Sequence, residues 1–229
     1  EFQYHGANRL GGNGLLSAIF GGMVAGPNAV EYARGLKKAT ADLPSSLFAA
    51  EQKRQEVYLN RIYRMDGYEN PYRLHVEMSD WMFENVTVVR YNERLKKTDE
   101  KLQELMERWK KIGIDDTANR SNKTVTFVRQ LWNMLQLARV ITLGALLRNE
   151  SRGAHYKPEF PHRDDQNWLK TTIAEYTPDG PTFRYEPVDI RYLPPRPRRY
   201  DIVERGRKAE AQAAQGTEQE NEAAAAKEG

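Results

Sequence analysis

The stretch His5-Gly-Ala-Asn-Arg-Leu-Gly-Gly-Asn-Gly14, running straight into Leu15-Leu-Ser-Ala-Ile-Phe-Gly-Gly-Met-Val-Ala25, decides how the chain is read. A polar, glycine-rich loop ends where an apolar helix begins. Its glycines let the backbone turn tightly and approach a ligand with no Cβ in the way. One arginine, Arg9, lies inside the loop. The helix that follows offers unpaired N–H groups and the positive end of its dipole at its first turn. Loop, arginine and helix start together form a candidate site for an anion. Two nucleotide motifs are excluded. Gly12-Asn-Gly14-Leu-Leu-Ser17 lacks the third glycine and the βαβ setting of the dinucleotide fingerprint, and no Gly-Lys-Ser/Thr closes the loop as a phosphate-cradling loop requires.

Working outward, composition narrows the function classes. The 35 basic residues nearly balance the 32 acidic ones, so the +3 net charge points neither to nucleic acid nor to a strongly charged membrane surface. The absence of cysteine removes disulfides, thiolate metal sites and a cysteine nucleophile. The four histidines (His5, His75, His155 and His162) show no H-x-x-x-H spacing, so no metal site is expected. No apolar run is long enough to span a bilayer. Glu1-Phe-Gln-Tyr4 reads like the end of a strand, and the chain is expected to be the C-terminal part of a longer protein.

Leu15 to about Leu36 reads as helix, with a break or kink expected at Gly26-Pro27. The face Leu16, Ile19, Phe20 and Met23 has helical spacing and is expected to pack into a preceding domain. Ala39 to Ser46, with Pro44 and a Ser45-Ser46 cap signal, reads as a linker. Three to four helices follow. Leu47 to about Met65 is ended by Gly67. Asn70-Pro71 supplies an N-cap and a first-turn proline to a helix whose stripe is Leu74, Met78, Trp81 and Met82. Tyr91, Leu95, Thr98, Leu102, Leu105, Trp109 and Ile112 form a heptad seam ended by Gly113. The fourth, from about Thr124 to Glu150, carries Val128, Leu131, Trp132, Leu135, Ala138, Ile141 and Ala145 on one face and Met134, Leu137, Val140 and Leu143 on others. A helix apolar nearly all round is expected to be the buried centre of an antiparallel bundle.

Beyond it, Gly153, Pro158 and Pro161 mark a loop, in which the adjacent aspartates of His162-Arg-Asp-Asp165 read as solvent-facing or as a cap. Asn167 to Tyr176 and Thr182 to Val188, joined by Thr177-Pro-Asp-Gly-Pro181, read as a two-stranded hairpin that must lie on the bundle or the preceding domain. Pro194-Pro-Arg-Pro-Arg-Arg199 reads as extended and basic. From Ala209 onward nothing can be buried, and a disordered tail is expected. The resulting fold class is mainly α: an antiparallel helical bundle with a small β-hairpin. The divisions are 1–38, 39–155, 156–200 and 201–229.

The loop and helix from His5 to Pro27 resemble the signature near the end of the flavin domain in succinate dehydrogenase and fumarate reductase flavoprotein subunits, in its bacterial succinate dehydrogenase form. Ser151-Arg-Gly-Ala-His155 resembles a run after the helical bundle of the same family, and the resemblance reaches to about Tyr200. It implies that residues 1–38 end an FAD-binding α/β domain. It further implies that Arg9 grips a carboxylate of a dicarboxylate substrate, and that Gly14 and Leu15 offer helix-start amides to the flavin. The family usually has Ser where this chain has Gly14, so a backbone contact survives and a hydroxyl contact does not. His5 is architectural by this resemblance. The proton-shuttling residues are expected upstream, so no catalytic residue is assigned in this chain, and no metal ligand.

The implied protein oxidises succinate to fumarate with FAD. Its implied partners are an iron–sulfur subunit and a membrane anchor subunit, which lead electrons to quinone at the cytoplasmic face of the membrane. No nucleic acid is expected. Two other readings stay open. One is L-aspartate oxidase, which carries a close relative of the loop; the other is a non-catalytic helical interaction module. Arg152 and His155 are read as a capping arginine and a histidine tying the loop to the flavin domain, with their roles left open.

Overall fold

The computed structural model describes residues 5, 9, 11–116, 118, 120–192 and 194–196. The strand expected at Glu1–Tyr4, Gly6, the end of the Pro-Arg segment and the tail of 201–229 lie outside the described residues. Two units are defined, 1–187 and 188–229. In the second, the described residues form neither helix nor strand, and Arg191 pairs with Asp189.

In the first unit the elements run α1 (Gly14–Gly35), a 3₁₀ turn (Thr40–Asp42), α2 (Ser45–Tyr63), α3 (Pro71–Val86), α4 (Asn92–Trp109), α5 (Lys123–Leu147), α6 (Asp165–Trp168), β1 (Lys170–Glu175) and β2 (Thr182–Pro187). The mainly helical class with one small antiparallel sheet is as expected. Contrary to expectation, α1 continues through Gly26-Pro27. Proline removes the ladder donor to the Met23 carbonyl; one residue on, the Asn28 side-chain amide donates to the Val24 carbonyl at 2.7 Å. The α1 face Leu16, Ile19, Phe20 and Met23 is open, each residue more than half exposed.

The heptad seam is the heart of the bundle. Leu95, Thr98, Leu102, Leu105 and Ile112 are wholly buried, and Trp109 nearly so. Leu102, Leu105, Trp109 and Ile112 share a core with Val128, Leu131 and Leu135 of α5, which are equally buried, while Leu95 clusters with Val86 and Ala145. Trp109 packs against Trp132 at a tilt, ring centroids 4.7 Å apart, and donates its indole N–H to the Val128 carbonyl at 2.9 Å. Asp99 and Arg139 add a paired charge across the same two helices at 2.8 Å. Helix α5 touches α2, α3, α4 and β1 and is central, but it is not enclosed: Leu137 is 61% exposed and Ile141 51%. Ile141 therefore leaves the core face on which its spacing placed it. The buried position falls to Thr142, whose hydroxyl meets the Met82 sulfur at 3.5 Å.

Local signals explain the starts of α3 and α5. Asn70 accepts from the amides of Tyr72 and Arg73 above the first-turn proline. Asn122 caps α5 through Val125 N. Ser45 and Ser46 do not cap α2; they are its first two residues, and the N-cap is Pro44. Gly67 and Gly113 are not simple helix stops either. Helices α2 and α4 end earlier, at Tyr63 and Trp109, and the segments that follow are joined by the bridges Asp66–Gly113 and Glu69–Ile112, where the two glycine backbones approach closely. Gly67 N donates to the Ile112 carbonyl and Gly113 N to the Glu69 carbonyl, each at 3.1 Å. A Cβ at Gly67 would overlap the Lys111 carbonyl, and one at Gly113 the Gly67 carbonyl. Because the obstacle is backbone, Gly113→Ala is expected to lower stability by about 3 kcal/mol; urea unfolding checks it.

The hairpin pairs Lys170 with Pro187 through Glu175 with Thr182. Its turn is closed by Thr177 and Gly180, and Gly180 at φ +128 needs to be glycine. The Phe183 ring lies on Gly144 of α5, so the hairpin rests on the bundle. Its first strand starts later than expected. Asp164 accepts from Asn167 N and caps the single turn of α6, which takes up Asn167 and Trp168.

Candidate functional site

Two groups of residues carry chemistry. The first is the start of α1. Asn13 occupies the N-cap without a side-chain capping bond, so it leaves the first-turn amides to other partners. Gly12 has φ +76, a conformation that favours glycine. Ser17, buried one turn in, gives its hydroxyl proton to the Asn13 carbonyl at 2.7 Å. Its oxygen therefore accepts from His5 Nε2 at 3.0 Å, and His5 pins the loop to the helix. Arg9 is exposed, and its guanidinium lies over the helix start: a Cβ at Gly14 would overlap Nη1. Among the described residues no carboxylate pairs with Arg9. Leu15 is 81% exposed. The three residues singled out in the sequence thus stand together, with a cation at the positive end of a helix. Like charge at that position favours an anion placed against both.

The second group is a polar hub at the far end of α5, built by the loop 149–165. Glu150 is fully buried. It accepts from Arg148 at 2.5 Å, from Arg152 at 2.9 and 3.0 Å, and from the Asp164 amide at 3.0 Å. Arg148 reaches on to the carbonyls of Trp168 and Lys170, which fastens the hairpin. Arg152 also pairs with Asp165 at 2.7 Å. Its expected capping role is therefore corrected to that of an ion-pair bridge.

The loop also caps two helices, and Arg90, which it contacts, caps a third. Lys157, with no exposed surface, donates to the Leu146 carbonyl of α5 at 2.9 Å and to Asn149 Oδ1 at 3.2 Å. Glu159 accepts from Asn92 N at the start of α4. Arg90 donates from Nε to the Val86 carbonyl of α3 at 2.7 Å and from Nη1 to His155 Nδ1 at 2.6 Å. His155 Nε2 then donates to the Arg148 carbonyl at 2.9 Å, which fixes the neutral tautomer. His155 ties the loop to the junction of α3 and α4. Burial pushes its pKa down to about 4, outweighing the bond to the Arg148 carbonyl, and Arg90, Lys157 and Arg148 push the same way.

Burial likewise pushes the Lys157 ammonium down to about 8. A lowered pKa on a base means that the unfolded chain binds more protons between the two values. Stability is therefore expected to rise as pH goes from about 8 towards the ordinary lysine value, and Lys157→Met is expected to flatten that rise in urea unfolding across alkaline pH. Glu150, Arg90 and Lys157 were not singled out in the sequence. The flanking arginines at 148 and 152 were the available sign for Glu150. The caps are long-range and leave no local pattern. Among the described residues no group of three or more His, Asp or Glu could hold a metal, and no helix is long and apolar enough to cross a membrane.

The helical bundle with its capping loop and small hairpin is consistent with the C-terminal helical domain of a fumarate reductase flavoprotein. The FrdA chain of a variant Escherichia coli quinol fumarate reductase superposes with a TM-score of 0.73 at 35% identity, over 84% of this chain and 33% of that one. The family model described as fumarate reductase flavoprotein C-term matches residues 75–200. The succinate dehydrogenase flavoprotein subunit of Bacillus subtilis is 57% identical over 202 residues, 87% of this chain and 34% of its own length. The fumarate reductase flavoprotein subunit of Helicobacter pylori is 35% identical over 189 residues, 81% of this chain and 26% of its own. The chain belongs to the succinate dehydrogenase and fumarate reductase flavoprotein family, and it spans about a third of the length of the curated relatives it matches.

Proposed function

We propose that this chain is the C-terminal part of the flavoprotein subunit of a succinate dehydrogenase. The whole protein would oxidise succinate to fumarate with FAD and pass electrons through an iron–sulfur subunit to quinone. A membrane anchor subunit would hold the complex at the cytoplasmic face. In this reading residues 1–38 close the FAD-binding domain, 39–155 form the bundle and 156–200 the extended segment with its hairpin. The observation that carries the proposal is the 57% identity to the Bacillus subtilis succinate dehydrogenase flavoprotein, against 35% to the Helicobacter pylori fumarate reductase flavoprotein.

The geometry at α1 supports the same reading. Asn13 makes no capping bond to the first turn and the Arg9 guanidinium lies over Gly14, so the helix start and the arginine together suit an electron-rich group such as the edge of a flavin. FAD, when bound, supplies the hydride acceptor. Arg9 would hold and orient one carboxylate of the dicarboxylate, since guanidinium forms a bidentate, permanently charged fork. The residues that move the proton would belong to the preceding part of the protein. By themselves these 229 residues are expected neither to retain FAD nor to oxidise succinate. The test is substrate preference of the full-length protein. Flavin reduction by succinate and not by L-aspartate supports the proposal; reduction by L-aspartate alone replaces it with an L-aspartate oxidase.

A further inference from the structure

The Arg90–His155 contact uses the histidine only as an acceptor at Nδ1, because Nε2 is committed to the Arg148 carbonyl. The contact lies across a seam that backbone pairing and the Glu159–Asn92 bond also hold. Beside it the Arg90 amide donates to the Tyr156 carbonyl at 3.0 Å, and Val89 and Tyr156 form a parallel bridge. The groups that bear on the ring are all cationic: Arg90 from the α3–α4 junction, Arg148 from the end of α5, and Lys157 from the histidine's own loop. The neighbouring carboxylates are engaged elsewhere, Glu150 with Arg148, Arg152 and the Asp164 amide, Glu159 with the Asn92 amide. A proton on Nδ1 would set two donors against each other at 2.6 Å and add a charge among three cations. The seam has little apolar burial to resist this: Val89 is 37% and Tyr156 44% exposed, whereas the α4–α5 core beside it is closed.

We propose that His155 is a proton-operated latch between the α3–α4 junction and the loop 149–165: neutral, it holds the seam shut through Arg90, and charged, it releases the seam while the α4–α5 core stays folded. The ordinary histidine range lies above the folded value of about 4, so the seam is shut at neutral pH and opens on acidification.

Hydrogen–deuterium exchange of the full-length protein tests this at neutral pH with two substitutions. His155→Gln keeps an acceptor for Arg90 and a donor for the Arg148 carbonyl without titrating. His155→Lys places a permanent charge there. Peptides covering 87–92 and 150–157 should be protected in wild type and His155→Gln and exchange about tenfold faster or more in His155→Lys. Peptides from 128–142 of α5 should exchange alike in all three. Equal protection of the seam in His155→Lys and wild type overturns the latch, as does equal exposure in His155→Gln and His155→Lys. If neither variant folds, wild type alone decides by acid titration. The seam should lose protection at a higher pH than the α5 peptides; simultaneous loss, or none before global unfolding, overturns the proposal.

Discussion

Replacing Arg9 by lysine in the full-length flavoprotein is expected to lower kcat/KM for succinate by about 10²- to 10³-fold, with FAD content unchanged. The size follows from what a guanidinium does that an ammonium cannot. Two parallel N–H donors fix a carboxylate in orientation as well as position, whereas lysine offers a mobile point charge. The structure makes the substitution informative, because Arg9 has no carboxylate partner among the described residues and its loop is held by other groups. His5, Ser17 and Asn13 anchor the loop to α1 without it. Loss of activity with retained flavin would therefore report on substrate binding, while retention of activity would favour the non-catalytic interaction module. Steady-state kinetics and the flavin absorbance of the purified protein measure both quantities.

The second large effect is expected at Glu150. Glu150→Gln conserves shape but removes the charge that faces both Arg148 and Arg152 in a position with no exposed surface. Two partly buried guanidinium groups would be left competing for a neutral oxygen, and the new amide would face donors. Breaking a buried ion pair from one side commonly costs about 3–5 kcal/mol. For a unit of this size that corresponds to a fall in melting temperature on the order of 10 °C. Arg148 also holds the backbone at Trp168 and Lys170 and spans to Thr172, so the hairpin should lose exchange protection before the bundle does. Arg152→Gln should cost less, since Arg148 still pairs with Glu150 when it is gone. Calorimetry with peptide-resolved exchange on the two variants checks both the size and the order.

Much of the fold was legible because it is written in periodicity. The seam from Leu95 to Ile112 buries as a seven-residue repeat must, and Asn70-Pro71 opens α3 by short-range chemistry. The misreadings share a cause: each local signal was answered by a distant partner. Gly67 and Gly113 look like helix stops one at a time, but they are small because two backbones meet there. Ile141 fits the core face by spacing, yet Thr142 takes the place against Met82. At the α1 start the residues were legible because they are contiguous. The hub around Glu150 was not, since Arg90, Lys157 and Glu159 come together only when three helix ends converge.

The most direct test of the central claim is a structure of the full-length protein with FAD and a dicarboxylate inhibitor such as malonate bound. The account predicts the Arg9 guanidinium within hydrogen-bond distance of one inhibitor carboxylate, with the amides of Gly14 and Leu15 facing the flavin. A dicarboxylate held by other residues, with Arg9 turned away from it, would contradict the account.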